Sequence, residues 1–130
     1  MSLHFEGDDW PRWLELARHT VDTTIKDLPE YLRNHVEKLP ITYERVPARE
    51  VIAEGIEPDT LGLFVGQAFP DGISGMEMLP AQIILYLENL RAFSGDDEEI
   101  FRVEVQTTFL HELGHFLGLD EQDLADRDLD

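Results

Sequence analysis

The sequence predicts an α+β domain in which a small mixed β-sheet of three or four strands packs against helices, including one long helix near the C-terminus. Three observations predict it. Residues from Trp10 to about Lys38 repeat apolar side chains at spacings of three and four, as helices do. Three runs rich in β-formers follow, at Ile41 to Val46, Leu61 to Phe69 and Ala81 to Leu90. A further stretch from Asp97 to about Leu117 is polar at first and apolar nearly all round from Phe109, as a helix with a buried C-terminal half would be. At 130 residues the chain makes one domain, spanning 1–130, with a core of ordinary size.

In order along the chain, residues 1–9 are polar and expected to form a loose tail. The first helical segment places Trp13, Leu14, Ala17, Val21, Ile25 and Leu28 on one face, and Pro11 suits its first turn. Pro29 should divide the segment, because proline lacks a backbone donor and disfavours helix before it; Asp27 is the expected cap of the second helix. His19 and His35, among charged neighbours, are expected at the surface. Ile41 to Val46 alternates as a half-buried strand, whereas Arg49 to Asp59 has no decisive pattern. In Leu61 to Phe69, Gly62 and Gly66 mark a bulge or a close backbone approach. Pro70 to Pro80 reads as a loop, with Met76 and Met78 filling gaps beneath it. Ala81 to Leu90 carries the unbroken run Ile83 to Leu87, which suggests a strand covered on both faces, a buried helix being the rival. Ser94 to Asp97 supplies a turn and a helix cap, with Glu98 and Glu99 favoured by the helix dipole. Residues 122–130 are expected to form a short helix or a tail.

Charge removes some classes of partner. Against 10 Lys and Arg stand 28 Asp and Glu, a formal net charge of -18 that repels nucleic acid and anionic membrane at long range. An acidic surface serves solubility first and selection of basic partners second. With no cysteine there is neither a disulfide nor a thiolate ligand or nucleophile. The N-terminus lacks the basic and apolar regions of a signal peptide, and no run reaches membrane-spanning length, so a cytoplasmic location is expected; a monomer is expected separately.

The chemistry concentrates in Thr107 to Glu121, which reads T-T-F-L-H-E-L-G-H-F-L-G-L-D-E. A helix turns about 100° per residue, so His111 and His115 share one face a turn apart, spaced to share a metal ion. Glu112 flanks them, where a general base for an activated water belongs; the spelling is H-E-x-x-H. A catalytic zinc takes a third protein ligand and leaves a position for water. Continued helix would turn Glu121 away from the metal, but Gly118 can adopt the left-handed conformation that ends a helix, letting Asp120 or Glu121 return to it. Glu104 and Thr108 fall on the same helical face two turns and one turn earlier, where they either orient a ligand or are solvated. Burial strengthens the case, since unsatisfied polar groups on a buried helix cost a few kcal/mol.

H-E-L-G-H-F-L-G-L-D-E resembles the extended H-E-x-x-H-x-x-G-x-x-(His or Asp) motif of the zincin metallopeptidases. With L-G-L-F-V-G, L-P-A-Q-I-I-L-Y and the long helix, the chain looks like the small bacterial minimal zincins over roughly Leu28 to Leu124. The resemblance implies a zincin-like fold, zinc (Zn2+) bound by His111 and His115, Glu112 as base and proton shuttle, Gly118 as turn glycine, and a third ligand at Glu121 with Asp120 competing. Two departures stand out. Glutamate replaces histidine or aspartate at 121, and all three methionines precede the motif, so no Met-turn is expected.

The function expected is that of a zinc-dependent peptidase acting on a peptide or protein substrate, which an edge strand, either Ala81 to Leu90 or Leu61 to Phe69, holds by backbone pairing. No oxyanion-stabilising residue is identifiable; Tyr31, Tyr43 and Tyr86 are conceivable, each fitting a packing role better. The rival is a non-catalytic metal-binding interaction module whose acidic surface meets a basic partner. Closure of the metal by both Asp120 and Glu121 would favour it.

Overall fold

The computed structural model describes residues 9–66 and 81–118. Their architecture is α+β, as the sequence predicts: five helices and a three-stranded mixed sheet among the described residues.

Helix α1 (Trp10–Lys26) starts with Pro11 in its first turn and buries Trp13, Ala17 and Val21, the stripe that the periodicity marks out. It ends at Asp27, whose N–H returns to the carbonyls of Thr23 and Thr24. Helix α2 (Glu30–Val36) begins after Pro29, so the division falls at the proline. Asp27 is not its cap. The residue at that position is Pro29, in an extended conformation and with no side-chain acceptor; Asp27, two residues too early, instead closes α1. Arg33 adds the link between the two helices, donating to the carbonyls of Lys26 and Leu28 at 3.2 and 3.1 Å.

Strand β1 (Ile41–Glu44) is followed by the short helix α3 (Arg49–Ala53), which occupies the segment without a decisive pattern. Strand β2 (Gly62–Val65) and strand β3 (Gln82–Tyr86) complete a sheet of order β1-β3-β2. β1 runs parallel to β3, Ile41 opposite Ile83, and β2 runs antiparallel to it, Gly62 opposite Leu85. β3 is therefore flanked on both edges, and Ile83 to Tyr86 are buried as their unbroken apolar run predicts. The strand does not continue to Leu90. Pairing stops where β1 ends, at Glu44 opposite Tyr86, and the chain enters helix α4 (Leu87–Phe93), so strand and buried helix each hold part of that run.

Alternation assigns the faces. Ile41, Tyr43, Gly62, Phe64, Ile83 and Leu85 point toward the helices, while Thr42, Glu44, Leu63, Val65, Ile84 and Tyr86 point away. The bond from the Thr42 hydroxyl to Gln82 Oε1, at 3.0 Å, lies on the second face.

Helix α5 (Glu98–Phe116) is the element the core forms around. Phe101, Val105, Phe109 and Leu113, at helical spacing, are fully buried against α1 and the sheet, and Phe101 meets Trp13 edge to face at 4.7 Å. Asp97 caps the helix, its carboxylate accepting the Ile100 N–H at 3.0 Å, with Glu98 and Glu99 in the first turn. Glu98 also pairs with Arg12 of α1. Asp97→Ala is expected to lower unfolding free energy by about 1 kcal/mol, read by denaturant titration; unchanged stability would remove Asp97 from this role.

Candidate metal centre

The last two turns of α5 carry His111, Glu112 and His115, all half-buried. Burial here is less than all-round. Phe109, Leu113 and Gly114 are buried, whereas His111 and Glu112 border an open cleft. The helical phase turns both imidazoles the same way, with Nε2 of His111 and Nε2 of His115 3.2 Å apart and the rings 4.8 Å between centroids at 83°. One ligand atom from each of His111, Glu112 and His115 fits within a mutual 4.8 Å.

This geometry fits a metal. Two nitrogens bound at about 2.05 Å to a tetrahedral zinc stand about 3.3 Å apart, close to the separation that the helix already imposes. Two imidazole nitrogens with a nearby carboxylate are a donor set suited to zinc, and the cluster could hold such an ion. It is the one such cluster among the described residues. His19 and His35 are exposed on α1 and α2, as expected, and do not join it.

Gly118 ends the helix as its position predicts. Its φ of +82° is in the left-handed region, and its N–H bonds the His115 carbonyl at 2.9 Å, while Leu117 at the C-cap donates to Leu113 at 3.0 Å. The helix thus ends within one turn beyond His115. Glu121 and Asp120, the two candidates for third ligand, lie outside the described residues, as do Met76 and Met78.

A cleft of ≈ 270 Å³ opens beside His111 and Glu112, lined also by Leu61, Gly62, Glu104, Thr107 and Thr108. Glu104 and Thr108 are there because they share the histidines' helical face, as the phase predicts. Leu61 and Gly62 bring β2 to the same place, which the sequence signals only through the glycine. A Cβ on Gly62 would stand 2.6 Å from Thr108 Cγ2 and 3.4 Å from Glu112 Cγ, so here glycine marks a close backbone approach to the motif helix. Gly62→Ala is expected to destabilise the fold by about 1–3 kcal/mol, through overpacking. Thr108→Ser, which removes the obstructing methyl, should recover most of that loss in a double-mutant denaturation cycle, and purely additive effects would exclude the contact as its cause.

The conceivable tyrosines do not line the cleft. Tyr31 is 67% exposed on α2. Tyr43 faces α1 beneath Arg18, its hydroxyl pushed up to about 12 by burial and then by Asp22. Tyr86 is buried on the sheet face away from α5, where burial and then Glu44 raise its hydroxyl. Of the two candidate edge strands, Ala81 to Leu90 is excluded, because β3 is the central strand and both its edges are hydrogen-bonded. β2 is an edge strand among the described residues.

No helix among the described residues is long and apolar enough to cross a membrane. The family model described as zincin-like metallopeptidase matches residues 36–130, a span that takes in the whole sheet, α5 and the cluster. No curated protein matches the chain.

Proposed function

The chain belongs to the zincin-like metallopeptidase family, and on that premise we propose that it is a zinc-dependent peptidase in which Glu112 is the general base. The observation that carries this is the facing of His111 and His115 Nε2 at 3.2 Å with a carboxylate beside them. His111, His115 and a third ligand, Glu121 in preference to Asp120, would hold zinc, which when bound lowers the pKa of water toward about 7 and polarises a carbonyl. Glu121 is preferred because it stands at the motif's third-ligand spacing, three residues after Gly118.

Glu112 is suited to the proton work. Its carboxylate, adjacent in sequence to one ligand and within 4.8 Å of both ligand nitrogens, reaches a water between it and the carbonyl carbon. It accepts the proton as the C–O bond forms and returns it to the amide nitrogen as the C–N bond breaks, so the amine leaves neutral. The backbone of Gly62 to Val65, on the sheet edge beside Glu112, offers the N–H and C=O groups that hold an extended peptide across the cleft.

The test is metal analysis of the purified protein together with cleavage of a diverse peptide library, scored by mass spectrometry. Stoichiometric zinc and a discrete set of cut sites are expected. Zinc bound without any cleavage would leave the metal-binding interaction module as the surviving reading. Absence of metal under zinc-replete conditions would overturn both.

A further inference from the structure

Among the described residues, Glu104 is the one carboxylate in the cleft wall that neither metal binding nor proton transfer uses. We propose that it forms a subsite for a cationic side chain, so that the peptides cut carry lysine or arginine within about three residues of the scissile bond, on one side of it. Glu104 has this role only if the chain is a peptidase.

The cleft's charge favours such a ligand. Among the described residues its lining contains no arginine or lysine: beside Glu104 and Glu112 stand Leu61, Gly62, Thr107, Thr108 and His111. Glu112 and a carboxylate third ligand together offset the charge of a divalent ion, leaving Glu104 as the net charge of the site. Glu104 is half-buried and makes no hydrogen bond or ion pair among the described residues. Its helical neighbour Arg102 is turned away to Glu99, at 2.9 Å. A carboxylate held ready in this way gains a charge-assisted hydrogen bond when an ammonium or guanidinium arrives. The formal charge of -18 on the whole chain concentrates cations around it and raises their rate of encounter.

Distance sets the position. Glu104 lies seven residues before His111, about 10 Å along the helix axis. An extended peptide advances about 3.4 Å per residue, so this span equals about three residues, fewer once the length of a lysine or arginine stem is included. A basic residue one to three positions from the cut bond, over the N-terminal half of α5, brings its charge to Glu104. A basic residue on the opposite side of the bond does not.

The experiment uses zinc-loaded full-length protein and peptides identical except for lysine, norleucine or glutamate at each of the three positions on either side of a mapped cut site. On one side, kcat/KM for lysine is expected to exceed that for norleucine by about tenfold, the size of an ion pair in a partly shielded cleft. The preference should disappear in Glu104→Gln and turn toward glutamate in Glu104→Lys. It should also shrink as added salt shortens the Debye length from about 10 Å to about 3 Å. Binding provides a readout without turnover: in a Glu112→Gln background, the affinity for a fluorescein-labelled lysine peptide should fall about tenfold on adding Glu104→Gln. Cleavage with no basic preference, or a preference that survives Glu104→Gln, would overturn the subsite alone. Failure of the zinc-loaded wild type to cut or bind any peptide would overturn the peptidase premise, and the subsite with it.

Discussion

Glu112→Gln is expected to lower kcat for peptide hydrolysis by at least about 10³-fold while leaving zinc content and the melting temperature close to wild type. The substitution preserves the length and volume of a side chain whose Cγ sits 3.4 Å from where a Gly62 Cβ would be, so strand and helix keep their spacing. What it removes is basicity. An amide cannot accept a proton from water or deliver one to the leaving amine, so both halves of the reaction lose their shuttle. Glu112→Asp separates basicity from reach: it keeps the charge but withdraws it by one methylene, and an intermediate loss of kcat is expected with KM little changed. Turnover of the Gln variant within tenfold of wild type, with zinc content equal, would move the proton work to another residue.

How legible this site is in the sequence depends on whether the information is local. The phase of one helix places Glu104, Thr108, His111 and His115 along a single face, and the structure keeps them there, because α5 is a regular helix capped by Asp97 and ended by Gly118. Gly62 is legible as a close approach but not as an approach to Glu112, since its partner lies far along the chain. The same limit hides the strand order. β1 pairs in parallel with β3 across the whole of α3 and β2, and nothing in Ile41 to Glu44 records that register. The apolar run from Ile83 to Leu87 contains no breaker, and the change from strand to helix after Tyr86 coincides with the end of its pairing with Glu44. Asp27 misleads for a related reason: it has the chemistry of a cap, but Pro29 decides where α2 begins.

His115→Ala is the second substitution with a large expected effect, on zinc affinity and on stability through it. A ligand that binds only the folded state stabilises it by about 4 kcal/mol at a thousand times its Kd, so zinc should raise the melting temperature of the wild type clearly above that in chelator. Removing one of two nitrogens that face each other at 3.2 Å leaves no preformed pair, and the zinc-dependent rise should vanish. The chelated states should differ little. α5 is held by Phe101, Val105, Phe109 and Leu113, whose burial does not involve the histidine face, so wild type and variant should both stay folded in chelator and melt close together. Differential scanning calorimetry with and without zinc reads both effects. A rise in His115→Ala equal to that of wild type would remove His115 from the ligand set. Unfolding of the wild type in chelator would instead show that zinc supports the fold itself, because a core able to stand alone would not need it.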